Sequence, residues 1–224
     1  MAFGNRIGRK RVLLVAAGVF EKHGFVEGSY TLMTDLGGFT TKAIISYYFP
    51  SKLELAAAVV RSVYEDRPFI PGGMDGHPTT GIRSIVTSCF LVALAMRDDV
   101  TVRAAKRLEQ EVSFAAHGID MPPPFVGWLA VIEAALHDAV AAGEVDTDVD
   151  PSVEAWTIVA SFNGVQQVSG FTAGSRDLVD RVHAWLRRAL PALGVADTAL
   201  LPEMRVLAER AWQEHQDRKL GPAA

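Results

Sequence analysis

The sequence predicts an all-α protein. Apolar residues recur at helical spacing along nearly the whole chain, and alternating strand patterns bounded by turn pairs are absent. Glycines, prolines and capping residues also fall where such helices would start and stop. The first helix is expected over Arg11 to His23, with Val12, Leu13, Val15, Ala16, Val19 and Phe20 on one stripe and Gly24 as its stop. A short helix over Tyr30 to Leu36 follows, capped by Ser29 and closed by Gly37 and Gly38. The next, Thr41 to Tyr48, ends at Phe49-Pro50. Ser51 with Glu54 forms a capping box for a fourth helix, Ser51 to Asp66. Helices are then expected over Thr79 to Met96, Asp98 to Ala116, from Pro122, Pro123 and Pro124 to Ala142, Pro151 to Gly170, Ser175 to Leu193 and Leu200 to Asp217, roughly ten in all. The Pro- and Gly-rich stretch 67–78 reads as a linker between a small domain, 1–66, and a larger helical domain, 79–224.

Composition narrows the function classes. With 224 residues, 49% of them apolar and 21% charged, the chain is ordinary globular material. No apolar run reaches membrane-spanning length, and Val12 to Val19 lacks a signal-peptide cleavage site, so a cytoplasmic protein without a membrane partner is expected. One cysteine, Cys89, excludes an internal disulfide framework and sits in an apolar run that would keep it inert. The net charge of -4 divides unevenly: residues 1–60 hold seven basic and four acidic side chains, and the rest carries -7. The basic N-terminal arm with Arg6, Arg9, Lys10 and Arg11 is either a phosphate-contacting element or a solvated tail.

Templates for catalysis fail. There is no Gly-x-Ser-x-Gly, no phosphate loop and no His-Glu-x-x-His, and the six histidines lack metal-ligand spacing. Asp146-x-Asp148-x-Asp150 starts like a calcium loop, but Pro151 stands where glycine is needed and Thr157 where the bidentate Glu belongs. We expect no metal, no cofactor and no enzymatic activity.

The informative region runs from Arg9 to Val60. Helix, glycine turn and short helix form a helix-turn-helix, whose second helix can lie in a major groove while the first crosses the backbone. Ser29 and Thr31 can offer hydroxyl and backbone N–H donors to phosphate, and Thr40, Thr41 and Lys42 stand where the reading helix begins. Ser46 lies within that helix, and Tyr47 and Tyr48 bring phenolic hydroxyls. Being about 100° apart around the helix, only one of the two tyrosines should face DNA, the other packing in the core. Lys52 opens the next helix as a further phosphate contact.

The ordered series Arg11-Val-Leu-Leu-Val-Ala-Ala-Gly-Val-Phe20, Gly24-Phe25, Ser29, Gly38-Phe39-Thr40 and Tyr48-Phe49-Pro-Ser-Lys52-x-x-Leu55 resembles the N-terminal signature of the TetR family of bacterial repressors. Arg107-Leu108, Met121-Pro-Pro-Pro-Phe-Val-Gly-Trp128, Ala142-Gly143 with Asp150-Pro151, and Phe162-Asn-Gly-Val-Gln-Gln-Val-Ser169 are similar to the γ-butyrolactone autoregulator receptors of antibiotic-producing filamentous bacteria. Two departures stand out. Gly38 and Phe49 enclose ten residues, one more than the family's usual spacing, and Ser46 replaces the usual tyrosine. The extra residue lies either in the turn or in the helix, where it would rotate the reading face by about 100°.

The resemblance implies a helix-turn-helix DNA-binding domain plus a ligand-binding and dimerisation domain. It implies a homodimeric repressor that binds a pseudo-palindromic double-stranded operator and is released by a small hydrophobic γ-butyrolactone-like ligand, controlling antibiotic genes. Trp128 matches the pocket-lining tryptophan of that group; read by itself it is more often a helix-packing anchor. Phe90, Leu94, Phe162 and Gln166 are its expected companions, the last because an amide can bond a carbonyl or hydroxyl. Dimerisation would use Trp156 to Phe171 and Ser175 to Leu193, with Ala160 and Gly164 permitting close approach and Val159, Val165 and Trp185 buried; the same run could be intrachain core. The alternatives are a pseudo-receptor for an antibiotic or intermediate, a paralogue with weakened DNA binding, and a helical enzyme acting on a small hydrophobic molecule.

Overall fold

Ten α-helices follow one another in a computed structural model of the chain, which describes residues 2–66, 80–121 and 125–220. No strand occurs among the described residues. The expected linker 67–78 and helix start Pro122 to Pro124 lie outside them. The helices are α1 (Ala2–Glu27), α2 (Tyr30–Gly37), α3 (Ala43–Tyr48), α4 (Lys52–Asp66), α5 (Gly81–Asp98), α6 (Val100–Glu111), α7 (Val126–Ala141), α8 (Pro151–Ala173), α9 (Leu178–Ala189) and α10 (Leu200–Leu220). They fall into two compact units, 1–66 with 99–122, and 67–98 with 123–224.

In the first unit α1 starts earlier than the periodicity suggests, so the basic stretch expected as an arm is helical from its start. Gly24 interrupts α1 at φ 74°, ψ -176°, as expected. An alanine there would also press on the Glu111 carboxylate and the Arg107 guanidinium, which approach the glycine closely. Val12, Ala16, Val19 and Phe20 of α1, Met33 of α2, Ile45 of α3 and Leu55, Val59 and Val60 of α4 are buried together. Ala104, Ala105 and Leu108 of α6 complete that core.

Placing α6 here corrects the expected division of the chain after residue 66, and polar tethers explain it. Arg103 Nε reaches Glu21 Oε1 at 3.0 Å, Arg107 Nη1 donates to Glu21 O at 2.9 Å, and Glu111 Oε2 accepts the Phe25 N–H at 2.6 Å. The expected single helix over Asp98 to Ala116 is therefore shorter. Asp99 caps its start by accepting the Thr101 N–H at 2.7 Å, and after Glu111 only a 3-10 turn, Ala115–His117, remains.

The second unit is built on α5, which packs against α7, α9 and α10, while α7 packs on α8 and α8 on α9. Its residues from Ile82 to Met96 are almost all buried. Glu144 accepts the Ile82 N–H at 2.8 Å and so satisfies the start of α5 from the turn after α7. Trp212 donates its indole N–H to Asp98 at 2.9 Å and ties α10 to the other end. Asp150 is the N-cap of α8, bonding the Ser152 and Val153 N–H groups at 3.0 and 3.3 Å, so the Asp146 to Asp150 stretch ends as a cap.

Candidate functional site

Two sets of residues carry chemistry, one in each unit. In the first unit the helix-turn-helix forms through Gly38, whose left-handed φ of 61° closes α2, with Phe39 N donating to Thr34 O at 3.0 Å. Phe39 to Lys42 form the turn, so Thr41 and Lys42, expected inside the reading helix, precede it. Ile45 and Phe49, four apart, are buried and fix the inner face of α3. The opposite face, Thr40, Thr41, Lys42, Ala43, Ser46 and Tyr47, is exposed.

The tyrosine pair divides as helix geometry requires. Tyr47 is 74% exposed. Tyr48 packs on the core, its hydroxyl close against Gly8 of α1, and the two rings meet edge-on at 5.0 Å. Tyr48 is thus a packing residue, the role the sequence left open for one of the two. Thr31 is exposed at the start of α2, and Ser29 accepts the Leu32 N–H at 3.2 Å as a true N-cap.

Lys52 differs from expectation. Its ammonium donates to Phe25 O at 2.8 Å and Val26 O at 3.1 Å, 4.7 Å from the Phe25 ring centre, because three backbone and ring acceptors converge there. It locks the turn between α1 and α2. Arg9 and Arg11, both exposed, also make contacts within the unit: Arg9 lies 4.9 Å over the Phe49 ring, and Arg11 donates to Gly37 O at 2.7 Å and lies over Phe39. Sequence reasoning missed these three contacts because each joins residues more than twenty positions apart.

In the second unit the rings of Trp128 and Phe162 meet edge-on at 4.9 Å, and Phe162 meets Trp185 of α9 at 6.4 Å. Trp128 stands in the first turn of α7 and stays half-exposed, beside Phe125, which enters the helix at a left-handed φ of 68°. Gln166, one turn beyond Phe162 on α8, is buried with it. Phe90 and Leu94 are fully buried, but the Phe90 ring meets His183 of α9 at 6.0 Å, not Trp128. The indole of Trp128 instead donates to Ser88 Oγ at 3.2 Å, and Ser88 lies about 200° around α5 from Phe90. Phe90 and Leu94 therefore belong to the α9 side of the cluster.

Burial raises the Cys89 thiol to about 12, which leaves it protonated. Burial, then Arg205 and Arg187, lowers the His183 imidazole, so it is neutral at pH 7; its Nδ1 is buried with no partner among the described residues. No group of three or more His, Cys, Asp or Glu able to hold a metal occurs among the described residues.

On α8 an apolar stripe faces outward: Val153, Trp156, Val168 and Phe171 are 58%, 66%, 63% and 86% exposed, with Ala160 and Gly164 between them. Val159, which the sequence left open between an intersubunit face and intrachain core, is buried within the chain, and Trp185 is engaged with Phe162.

No family model matches the chain. Individual proteins do. A solved structure on the "molecular basis for control of antibiotic production by a bacterial hormones" is 30% identical, with a TM-score of 0.67, covering 83% of this chain and 96% of that one. Native TylP, a TetR regulator from Streptomyces fradiae, is 26% identical with a TM-score of 0.69, covering 95% and 99%. The A-factor receptor protein of Streptomyces griseus is 28% identical over 222 residues, 96% of this chain and 76% of the relative. An all-helical chain with a helix-turn-helix unit and a second helical unit has the architecture of such transcriptional regulators. This chain belongs to the TetR family.

Proposed function

We propose that this protein is a homodimeric, ligand-responsive repressor that binds a pseudo-palindromic operator and leaves it when a small γ-butyrolactone-like molecule binds. The observation that carries the reading is Trp128: an indole on α7 left half-exposed, edge-on to buried Phe162, in a unit where Ile85, Phe90, Leu91 and Leu94 of α5 are buried. An aromatic edge of that kind suits the ring and acyl chain of a lactone, and the buried amide of Gln166 suits its carbonyl or hydroxyl. The known relatives that control antibiotic production support antibiotic genes as the regulated set. Action in the cytoplasm and the absence of an enzymatic reaction belong to the same reading.

The exposed face of α3, with Thr40, Thr41, Lys42, Ser46 and Tyr47, is the proposed reading surface, flanked by Ser29 and Thr31 for phosphate. The stripe Val153, Trp156, Ala160, Gly164, Val168 and Phe171 is the proposed face for a second copy. Two-fold pairing would set two α3 helices against successive major grooves. The ligand lowers operator affinity only as far as it binds better to a conformer with α3 helices wrongly spaced.

Fluorescence anisotropy with a labelled duplex from upstream of the protein's own gene tests the reading. Tight, salt-sensitive binding released by a long-chain α-acyl-γ-butyrolactone is expected; binding no stronger than to random DNA would overturn it.

A further inference from the structure

We infer that Ser88 of α5 is a positioning residue for ligand recognition, holding the indole of Trp128 in the orientation in which it meets a ligand. The inference rests on the reading of Trp128 as a ligand-lining residue. Ser88 is fully buried in α5, where a hydroxyl requires hydrogen-bond partners. Its Oγ accepts the Trp128 indole N–H at 3.2 Å, across 40 residues of sequence and between two helices.

An indole carries one polar atom, so a single hydrogen bond to Nε1 fixes which edge of the ring points into α5 and which faces outward. With that bond made, the ring stands at 87° to Phe162, 4.9 Å between centres, in an edge-to-face contact. Without it the ring is free to turn about its side-chain bonds, because Trp128 is only half-enclosed at the start of α7. The same bond takes the indole N–H away from the ligand. The ligand therefore meets the ring as an apolar edge and face, and its polar group needs another partner, for which Gln166, buried one turn beyond Phe162 on α8, is the candidate.

The second helix of the pair matters as much as the first. Ser88 belongs to α5, which is followed after Asp99 alone by α6 of the first unit.

The test compares full-length protein with Ser88→Ala and Ser88→Thr. Titration with a long-chain α-acyl-γ-butyrolactone is read by calorimetry, and operator binding by anisotropy. Ser88→Ala should weaken lactone binding by roughly tenfold, the scale of one lost hydrogen bond to a buried group, with operator affinity unchanged. Ser88→Thr, which keeps the oxygen, should restore it. The Trp128 indole 1H–15N signal, assigned by its loss in Trp128→Phe, should move in Ser88→Ala and stay in Ser88→Thr. An indole signal unmoved by Ser88→Ala, or a moved signal with unchanged lactone affinity, would overturn the inference. Failure of the unaltered protein to bind the lactone would overturn the proposed function instead, while the indole signal would still report whether Ser88 holds the ring.

Discussion

Glu111 of α6 accepts the backbone N–H of Phe25 at 2.6 Å, and Lys52 of α4 donates to the carbonyl of the same residue at 2.8 Å. One peptide unit on each side of Phe25 is thus gripped from a different helix. The turn that sets α2 against α1 is held by both. Burial would raise the Glu111 carboxyl, but hydrogen bonds from Arg107 and the Phe25 N–H outweigh it and keep the group ionised to lower pH than usual. Because its folded value is depressed, its contribution is complete above the ordinary carboxylate range and is lost as pH falls through the folded value. Glu111→Ala should lower unfolding free energy by about 1–2 kcal/mol at pH 7 in urea titrations, and the difference from the unaltered protein should shrink in acid.

Lys42 and Lys52 should separate cleanly. Lys42→Ala should weaken operator binding and reduce the slope of log affinity against log salt by about one, since it removes one exposed phosphate-seeking charge. Lys52→Ala should leave that slope alone and lower thermal stability, since its ammonium serves Phe25 and Val26. Equal slopes for both variants would place Lys42 off the DNA.

For the tyrosine pair, exposure predicts that Tyr47→Ala costs about 1 kcal/mol or more of operator affinity by anisotropy. Tyr48→Phe should leave operator affinity unchanged, its hydroxyl being tucked beside Gly8.

A single charge in the outward stripe of α8 tests self-association. Trp156→Glu should shift sedimentation from dimer to monomer at micromolar protein and abolish cooperative operator binding. An unchanged sedimentation coefficient would assign the stripe to something other than a second copy.

Tyr64 of α4 donates to Glu109 of α6 at 2.5 Å, and Lys106 lies one turn earlier. Burial lowers the Lys106 ammonium to about 8 and raises the Glu109 carboxyl, the latter opposed by Tyr64 and Lys106. A lysine with a depressed folded value binds its proton more weakly folded than unfolded, so stability rises as pH climbs from about 8 toward the unfolded value. Lys106→Met should remove that rise, seen in melting temperatures taken from pH 7 to pH 10.

What could be read in advance was local. Ser29 and Ser51 as caps and Gly24 and Gly38 as stops each act within a few residues of their place in the chain. The exposed face of α3 follows from the burial of Ile45 and Phe49 at helical spacing. What escaped reading depends on partners distant in sequence. Nothing near Lys52 distinguishes a phosphate contact from a lock on Phe25, and nothing near Ser88 announces Trp128. The allegiance of α6 likewise lies in Glu21 and Phe25, far upstream.

The sharing of α6 has a consequence for modularity. Between Asp66 and Pro122 the chain leaves the first unit, runs the length of α5 elsewhere and comes back. A fragment ending at residue 66 would lack Ala104, Ala105 and Leu108 and leave bare the sides of Val12, Ala16 and Val60 that share their core. Chimeras that graft this reading head onto another sensor need two splices in place of one, and α6 has to travel with the head.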